Sequence, residues 1–441
     1  VCGPLRHRVP RQVELSLAPA RTHESRIGGW DGRIVRLGVQ RRGFVGRVLA
    51  HPFTIRRTGT GDASVRLRLM QGRRRDSAAF TVIVAVLVLL GAVLMAVIIA
   101  LSGAPSSVAL GVLLAAVPVG PLIGCFMWLD RYEPEPRMLL VAALLWGAFA
   151  STAGAVVFGL LETLVGVSGT ASSVWGAPIT EEAFKGAFLL MLMWWRRHEL
   201  DGVLDGIVYA GMVGIGFAFT ENILYLTSAH MGAEEMGISG AQALTLTFVM
   251  RIFASPFAHP LFTAFTGIGI GLAISRHSPF VRWFAPVGGY LLAVLSHAAW
   301  NAAAVRDLGT FVLTYLVVMF PVFVTVVGFA VYRSTRERHL LTQGLEDAAA
   351  RGLLPASDVP WLVDLPARRH ARAWALRTGG EQQARAMREY QRTAVELGFL
   401  HHRYLQGTAP EDYAVRGQEH LETLQLIRPY ISFPGQVVPT R

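Results

Sequence analysis

Eight apolar stretches, each close to the length that crosses a membrane, dominate the sequence of this 441-residue chain. An α-helix needs about 20 predominantly apolar residues to span a bilayer, where its backbone polar groups must pair within the segment. The stretches are 78–101, 106–128, 138–165, 174–195, 206–229, 257–275, 283–304 and 309–332. They predict an all-α polytopic membrane helix bundle with about eight transmembrane helices. The stretch 241–256 is also fairly apolar and ends near Pro256, so we interpret it as a partial or re-entrant helix.

The regions on either side of this apolar block differ from it in composition. Residues 1–76 are rich in arginine and weakly periodic, and we expect a basic N-terminal extension that is disordered or wrongly assigned, with a natural start near Met70. Residues 77–335 are predicted to form the transmembrane core. Residues 336–441 are predicted to form a small helical tail, with amphipathic helices at Glu381–Leu405 and Pro410–Leu426.

The basic residues of the chain assign the two sides of the membrane. The formal net charge is +11 and the mean hydropathy is +0.42. The arginine-rich loops fall on one side of the predicted topology, which by the positive-inside rule is the cytoplasmic side. The chain is therefore predicted to be a multi-pass plasma-membrane protein with both termini in the cytoplasm. The excess of positive charge is explained by its position beside the lipid bilayer. No nucleic-acid partner is therefore predicted.

The only lysine of the chain, beside 40 arginines, lies inside the fourth apolar stretch. Glu181 and Glu182 precede Lys185 by four and three residues, so one helical face can carry all three charges. A charged group near the bilayer centre costs about 2.5–3.5 kcal/mol on insertion scales. The cluster is therefore either a structural ion pair or part of a functional site.

Three further polar clusters interrupt later spans. They are Phe217-x-x-x-Glu221-Asn222, His259-Pro260-Leu261-Phe262-Thr263 and His297-Ala298-Ala299-Trp300-Asn301. At about 1.5 Å of rise per residue, Glu182, Glu221 and His297 lie about 5 Å outside mid-membrane, and His259 about 10 Å. Four polar clusters at one level, on helices of alternating direction, indicate one site in the outer half of the membrane.

The residue types at this level favour hydrolytic chemistry. Two histidines and a carboxylate are typical of a catalytic zinc site with one position open for water. A second carboxylate can accept the proton as that water attacks a carbonyl. Lys185 can hold the carboxylates charged or balance their charge. Asn222, Thr263 and Asn301 either support the site or join helices by hydrogen bonds, and Arg251 either caps the partial helix or pairs with a site carboxylate.

The same residues are also compatible with a different class of function. Carboxylate and histidine chains also form proton relays, so a proton-coupled transporter or a non-proteolytic membrane scaffold is the alternative. Transporters often show internal repeats and helices broken at mid-membrane. No repeat relates the two halves of this chain, which favours the hydrolytic interpretation.

Over residues 78–335 the chain resembles the PrsW family of intramembrane proteases, which is related to the CAAX prenyl endopeptidases and bacteriocin-processing membrane proteases. The four clusters carry the resemblance, together with the loop Asp130-Arg131-Tyr132-Glu133-Pro134-Glu135-Pro136. It implies an intramembrane metalloprotease that cleaves membrane-anchored proteins near the outer membrane face, with anti-sigma factors as the best-known substrates. In the CAAX-type relatives the second motif usually ends in histidine, whereas here it ends in Glu221.

The resemblance also implies roles for individual residues. Glu182 is predicted to be the general base or a ligand, with Glu181 assisting it. His259 and His297 are predicted to bind the metal or orient water, and Glu221 to be a third ligand; the predicted Zn²⁺ ligands are therefore Glu182, Glu221, His259 and His297. Asn301 is predicted to stabilise the oxyanion or to support a ligand. Lys185, Asn222 and Thr263 are supporting residues, and the oligomeric state stays open.

Overall fold

The computed structural model describes residues 78–232, 237–276, 278–410 and 412–436. The predicted extension 1–76, with the suggested start at Met70, lies outside the described residues. The described residues form helices and no strand, which confirms the predicted all-α class.

The described helices follow one another with short connections. In chain order the first nine are α1 (Ala78–Leu101), α2 (Pro105–Ala116), α3 (Val119–Leu129), α4 (Arg137–Leu145), α5 (Thr152–Leu164), α6 (Ala177–Trp195), α7 (Val203–Met231), α8 (Gly240–Phe248) and α9 (Ala258–Ser275). The later ones are α10 (Pro279–Arg306), α11 (Leu308–Thr314), α12 (Phe320–Ala350), α13 (Val359–Val363), α14 (Leu365–Leu405) and α15 (Tyr413–Ile427). Short π-helical turns continue several of them, at Trp146–Ser151, Ser172–Gly176, Val249–Ala254 and Tyr315–Met319.

Seven helical stretches in the described part of the chain are long and apolar enough to cross a membrane. They are Ala78–Leu101, Pro105–Leu129, Arg137–Leu164, Val203–Met231, Gly240–Ser275, Pro279–Arg306 and Leu308–Ala350. The predicted fourth span is also present as a helix, α6, but it carries the three charges of Glu181, Glu182 and Lys185 within 19 residues. A polytopic membrane bundle is therefore confirmed.

The predicted partial helix is α8 with its π-helical turn, and it ends where the sequence places proline. Residues 255–257 are not helical, and α9 begins at Ala258. Pro256 lacks a backbone N–H and restricts the residue before it, which interrupts the helix at this point. The hydroxyl of Tyr315 donates to the carbonyl of Ala254 at 2.9 Å, so the interruption is held against the helix that follows α11.

Helix α7 lies at the centre of the bundle. Of its most apolar stretch 89% is buried, compared with 17% for α1. It packs most closely against α9, where Gly206 and Gly267 face each other. A Cβ added at either glycine would lie 2.1 Å from the carbonyl oxygen of the other, so these two positions require glycine. Small residues at a membrane helix interface let two backbones approach closely, which here sets the spacing of the two helices.

Gly206→Ala is expected to destabilise the bundle, because the added methyl group meets backbone atoms that cannot move aside. Overpacking of this kind costs about 1–3 kcal/mol. Gly288→Ala in α10 is the matched control, since a Cβ there meets nothing within 4 Å and alanine favours helix. Thermal unfolding in detergent gives the melting temperatures of both variants. Equal melting temperatures for the two variants would contradict the close contact between α7 and α9.

The tail contacts the ends of the membrane helices next to the loop between α3 and α4. Arg368 donates to the carbonyl of Tyr132 at 3.0 Å, and Arg403 donates to Asp201 at 3.1 Å. Burial and the surrounding carboxylates raise the pKa of Glu133 in this loop well above its ordinary value. The tail is thus joined to this loop through Arg368 and Tyr132.

The two predicted tail helices are present, with more helix before them. Gly380, with a φ of +67°, bends α14 just before the predicted start at Glu381, and that helix ends at Leu405 as expected. The second predicted helix corresponds to α15, Tyr413–Ile427. The cytoplasmic position of these helices stays a prediction.

Candidate functional site

Helices α6, α7, α9 and α10 bring the four polar clusters of the spans to one place. Each cluster contributes at least one side chain that is almost completely buried: Glu182 is 0%, Lys185 0%, Asn222 4%, His259 8% and His297 2% exposed. Buried polar groups in a membrane bundle need partners, and here the partners come from the same helix, from neighbouring helices and from the π-helical turn after α8.

Lys185 lies at the centre of this arrangement. Its ammonium is 2.9 Å from Glu182 Oε1, 3.3 Å from Glu181 Oε2 and 3.1 Å from His259 Nδ1. The same ammonium lies 3.7 Å above the ring of Phe217, whose π face also attracts a cation. Lys185 therefore ties together three charged or titratable groups from two helices.

Glu182 is enclosed by donors. Besides Lys185, Thr263 donates to its Oε2 at 3.0 Å, and His297 Nδ1 lies 3.1 Å from its Oε1. If His297 donates its Nδ1–H to this carboxylate, its Nε2 keeps a free lone pair. Phe262 stacks on the same imidazole with ring centroids 4.8 Å apart. Glu182 and Phe262 together fix the orientation of His297.

The second histidine has a similar support. His259 Nε2 lies 2.6 Å from Glu221 Oε2, and its Nδ1 faces Lys185. Arg251 also binds Glu221, at 2.5 Å, and its Nε donates to Asn222 Oδ1 at 2.8 Å. Glu221 is therefore shared between an imidazole and a guanidinium, and Arg251 is a partner of a site carboxylate.

A cavity of about 220 Å³ adjoins these groups. Its lining includes Glu181, Glu221, His259, His297 and Asn301, whereas Glu182 does not line it. Among the described residues, Glu181, His259 and His297 form a group in which one ligand atom from each lies within 4.8 Å of the others. Two imidazoles and one carboxylate facing a polar cavity have the donor chemistry of a catalytic metal site.

The sequence prediction placed all of these residues in one site, and the structure distributes them over two layers. Glu181, Glu221, His259 and His297 face the cavity, and Glu182, Lys185 and Thr263 lie behind them. Asn301 lines the cavity and donates through Nδ2 to the carbonyl of Ser173 at 2.8 Å, which leaves its second amide N–H. Asn222 accepts a hydrogen bond from Arg251 and does not line this cavity.

Two contributors to this site were not predicted. Tyr225 lines the cavity, and the guanidinium of Arg251 lies 3.9 Å from its ring centroid. Its position four residues after Glu221 puts it on the face of that carboxylate, a signal that was available in the sequence. Ser173 supplies a backbone carbonyl from a π-helical turn, for which side-chain patterns give no signal.

Comparison with known proteins agrees with this geometry. Residues 135–326 match the profile of the PrsW family of intramembrane metalloproteases. We refer to residues 135–326 as the PrsW segment because of this similarity. This PrsW segment contains all four polar clusters, both histidines and the cavity between them.

Among curated proteins, the PrsW segment is similar to several bacterial relatives named Protease PrsW. The one from Clostridioides difficile (strain 630) is 33% identical over 137 residues, covering 29% of this chain and 56% of the relative. The one from Geobacillus kaustophilus (strain HTA426) is 29% identical over 160 residues, covering 34% and 61%. The one from Bacillus subtilis (strain 168) is 33% identical over 106 residues, covering 24% and 48%. The chain thus spans about half the length of these relatives, and no solved structure matches it.

Proposed function

We propose that this chain is an intramembrane endopeptidase that hydrolyses peptide bonds of membrane-anchored proteins. The observation that carries the proposal is the convergence of Glu181, His259 and His297 within 4.8 Å, at the wall of a polar cavity inside a membrane bundle. Peptide hydrolysis needs a group that activates water and a space that admits both water and substrate. The PrsW segment supplies both, and its relatives carry the name of a protease.

The same three residues fit a divalent metal, and Zn²⁺ suits their donor set. Zinc accepts imidazole nitrogen and carboxylate oxygen in catalytic sites with three protein ligands. A bound zinc ion supplies polarisation of a water molecule and of the scissile carbonyl. His259 Nδ1 accepts from Lys185 and His259 Nε2 faces Glu221, so His259 would bind a metal only after one of these two contacts is given up.

Within the site, each residue of the chain has a task that follows from its contacts. Two carboxylates face the cavity, Glu181 and Glu221: where Glu181 would hold the metal, Glu221 can accept the proton of the attacking water and pass it to the nitrogen of the leaving amine, and without a metal Glu181 can do so. Glu182 holds His297, and Glu221 with Lys185 holds His259. Asn301 lines the cavity, and its second amide N–H can donate to the oxyanion that forms at the attacked carbonyl.

The proposed substrate class and the position of the cut rest on the membrane topology and on the similarity to PrsW proteases. We propose single-span proteins resembling anti-sigma factors as substrates, cut near the outer face of the plasma membrane. The arginine-rich loops support a cytoplasmic position of both termini, which puts the four clusters in the outer half of the bilayer.

Reconstitution tests the proposal directly. The purified chain is placed in liposomes with a doubly tagged single-span protein, and fragments are mapped by mass spectrometry. We expect one or a few cuts within or beside the span. The His339→Ala variant, at an exposed histidine of α12 outside the site, serves as the control and should cleave normally. Intact substrate together with proton-driven solute uptake would instead support a transporter.

A chelator is expected to abolish cleavage, and added Zn²⁺ to restore it, because Glu181, His259 and His297 are then left without the ion that they hold. Metal analysis of the purified protein should give one zinc ion per chain, and none in the His297→Ala variant. Full cleavage by protein shown to be free of metal would contradict the zinc assignment and favour water activated by glutamate alone.

A further inference from the structure

A second cavity, of about 310 Å³, adjoins the polar one. The two cavities share Arg251, His259 and Trp300 as lining residues, so they meet beside one of the candidate metal ligands. Beyond this shared wall the second cavity loses the carboxylates of the first: its other lining residues are mostly apolar, and among them are Met250, Ala304, Leu308 and Phe311.

The walls of this apolar pocket come from three parts of the fold. One wall is the π-helical turn after α8 and the interruption that follows it, and a second is formed by α7 and the start of α9. The third is the end of α10 and the start of α11, where Trp300 and Ala304 lie one turn apart and the rings of Trp300 and Phe311 are 4.6 Å apart. Leu308 at the rim is 67% exposed, so the pocket opens at the surface of the bundle.

Size and chemistry indicate the occupant. A volume of 310 Å³ is at the lower end of the range of about 300–1,000 Å³ that small-ligand pockets occupy. A polypeptide whose scissile carbonyl lies at Glu181 and His259 presents the side chain of a neighbouring residue to the shared wall. An apolar side chain fits such a pocket without leaving a polar group unpaired.

We propose that this pocket receives one bulky apolar side chain of the substrate next to the scissile bond and so determines sequence preference. The inference rests on the proposed endopeptidase function. Ala304 is a small residue in the wall formed by α10, so a larger side chain at that position would narrow the pocket.

Discrimination between apolar side chains in such pockets comes from fit. One methylene group more or fewer changes the rate of reaction by about 10- to 200-fold. Substrate variants with Ala, Leu or Phe at each position flanking the mapped cut should therefore differ at one position, where the unsubstituted chain cleaves the Leu or Phe substrate at least about tenfold faster.

Ala304→Phe is expected to remove this preference while the substrate with alanine at that position is still cleaved. Ala304→Leu, a smaller change, should have an intermediate effect and guards against a general folding defect. Ala302→Phe is the matched control, because Ala302 lies on the same helix, is exposed and does not line the pocket; its preference should equal that of the unsubstituted chain.

The outcomes separate this inference from the function on which it rests. Cleavage without any preference at the flanking positions, or a preference that Ala304→Phe leaves intact, contradicts the role of the pocket but not the endopeptidase function. An equal loss on all substrates in Ala304→Phe and Ala302→Phe also overturns it. Absence of all cleavage by the unsubstituted chain overturns both.

Discussion

Glu181→Gln is expected to reduce cleavage by about 10²- to 10⁴-fold while the protein remains folded. The amide keeps the shape of the side chain but cannot accept the proton of the attacking water, and it is a poorer metal ligand. Glu181 is 8% exposed and lines the cavity, so its replacement leaves the charge pair of Glu182 and Lys185 intact. The rate constant on the single-span substrate, with thermal unfolding measured on the same sample, checks this result.

Two variants make the expectation specific. Glu419→Gln changes an exposed glutamate of the tail and should leave cleavage unchanged. Glu182→Gln should lower the melting temperature as well as the rate, because Glu182 is 0% exposed and holds Lys185, Thr263 and His297. A Glu181→Gln variant that cleaves at the normal rate, beside an inactive but stable Glu182→Gln variant, would return the role of base to Glu182.

Lys185→Met is expected to lower the stability of the bundle by about 3–5 kcal/mol, the cost of breaking a buried ion pair by removing one partner. Methionine fills much of the volume of lysine but leaves Glu182 buried without its 2.9 Å ammonium partner. It also removes the donor to His259 Nδ1, so the imidazole becomes free to turn. Unfolding of the purified protein in a denaturing detergent, monitored by the loss of helix, measures the change.

A double variant and a charge-conserving variant separate charge from shape. Lys185→Met combined with Glu182→Gln should recover part of the lost stability, because no unpaired charge then remains at that contact. Lys185→Arg keeps the positive charge but should reduce cleavage, because a forked guanidinium does not fit a position that is 0% exposed and closed by the Phe217 ring. Additive effects of Lys185→Met and Glu182→Gln would show that the pair is not coupled.

Much of the fold could be predicted from the lengths of the apolar stretches, the proline positions and the spacing of charged residues. The apolar stretches predicted the helical class and most span limits, and Pro256 marks the observed interruption before α9. Spacings of three and four residues predicted that Glu181 and Glu182 would both reach Lys185. The common depth of the four clusters predicted that they would meet, because helices of alternating direction bring one level of the membrane together.

The roles within the cluster were much harder to predict. Glu181 and Glu182 are neighbours in sequence, and the pattern favoured Glu182 as the base or ligand. Their side chains point about 100° apart on a helix, so only the rotation of α6 against α9 and α10 separates the one in the cavity from the one behind it. Arg251 illustrates the same limit, since either of its two predicted roles was compatible with the sequence.

Composition and spacing were enough to establish a helical membrane bundle with polar groups gathered at one level, because the bilayer penalises every unpaired polar group and so restricts where such groups can lie. Which carboxylate faces the cavity, which one supports His297, and where an apolar pocket meets the polar one depend on helix rotation and close packing. Those are set by long-range contacts such as the approach of Gly206 to Gly267, and no local pattern in the chain encodes them.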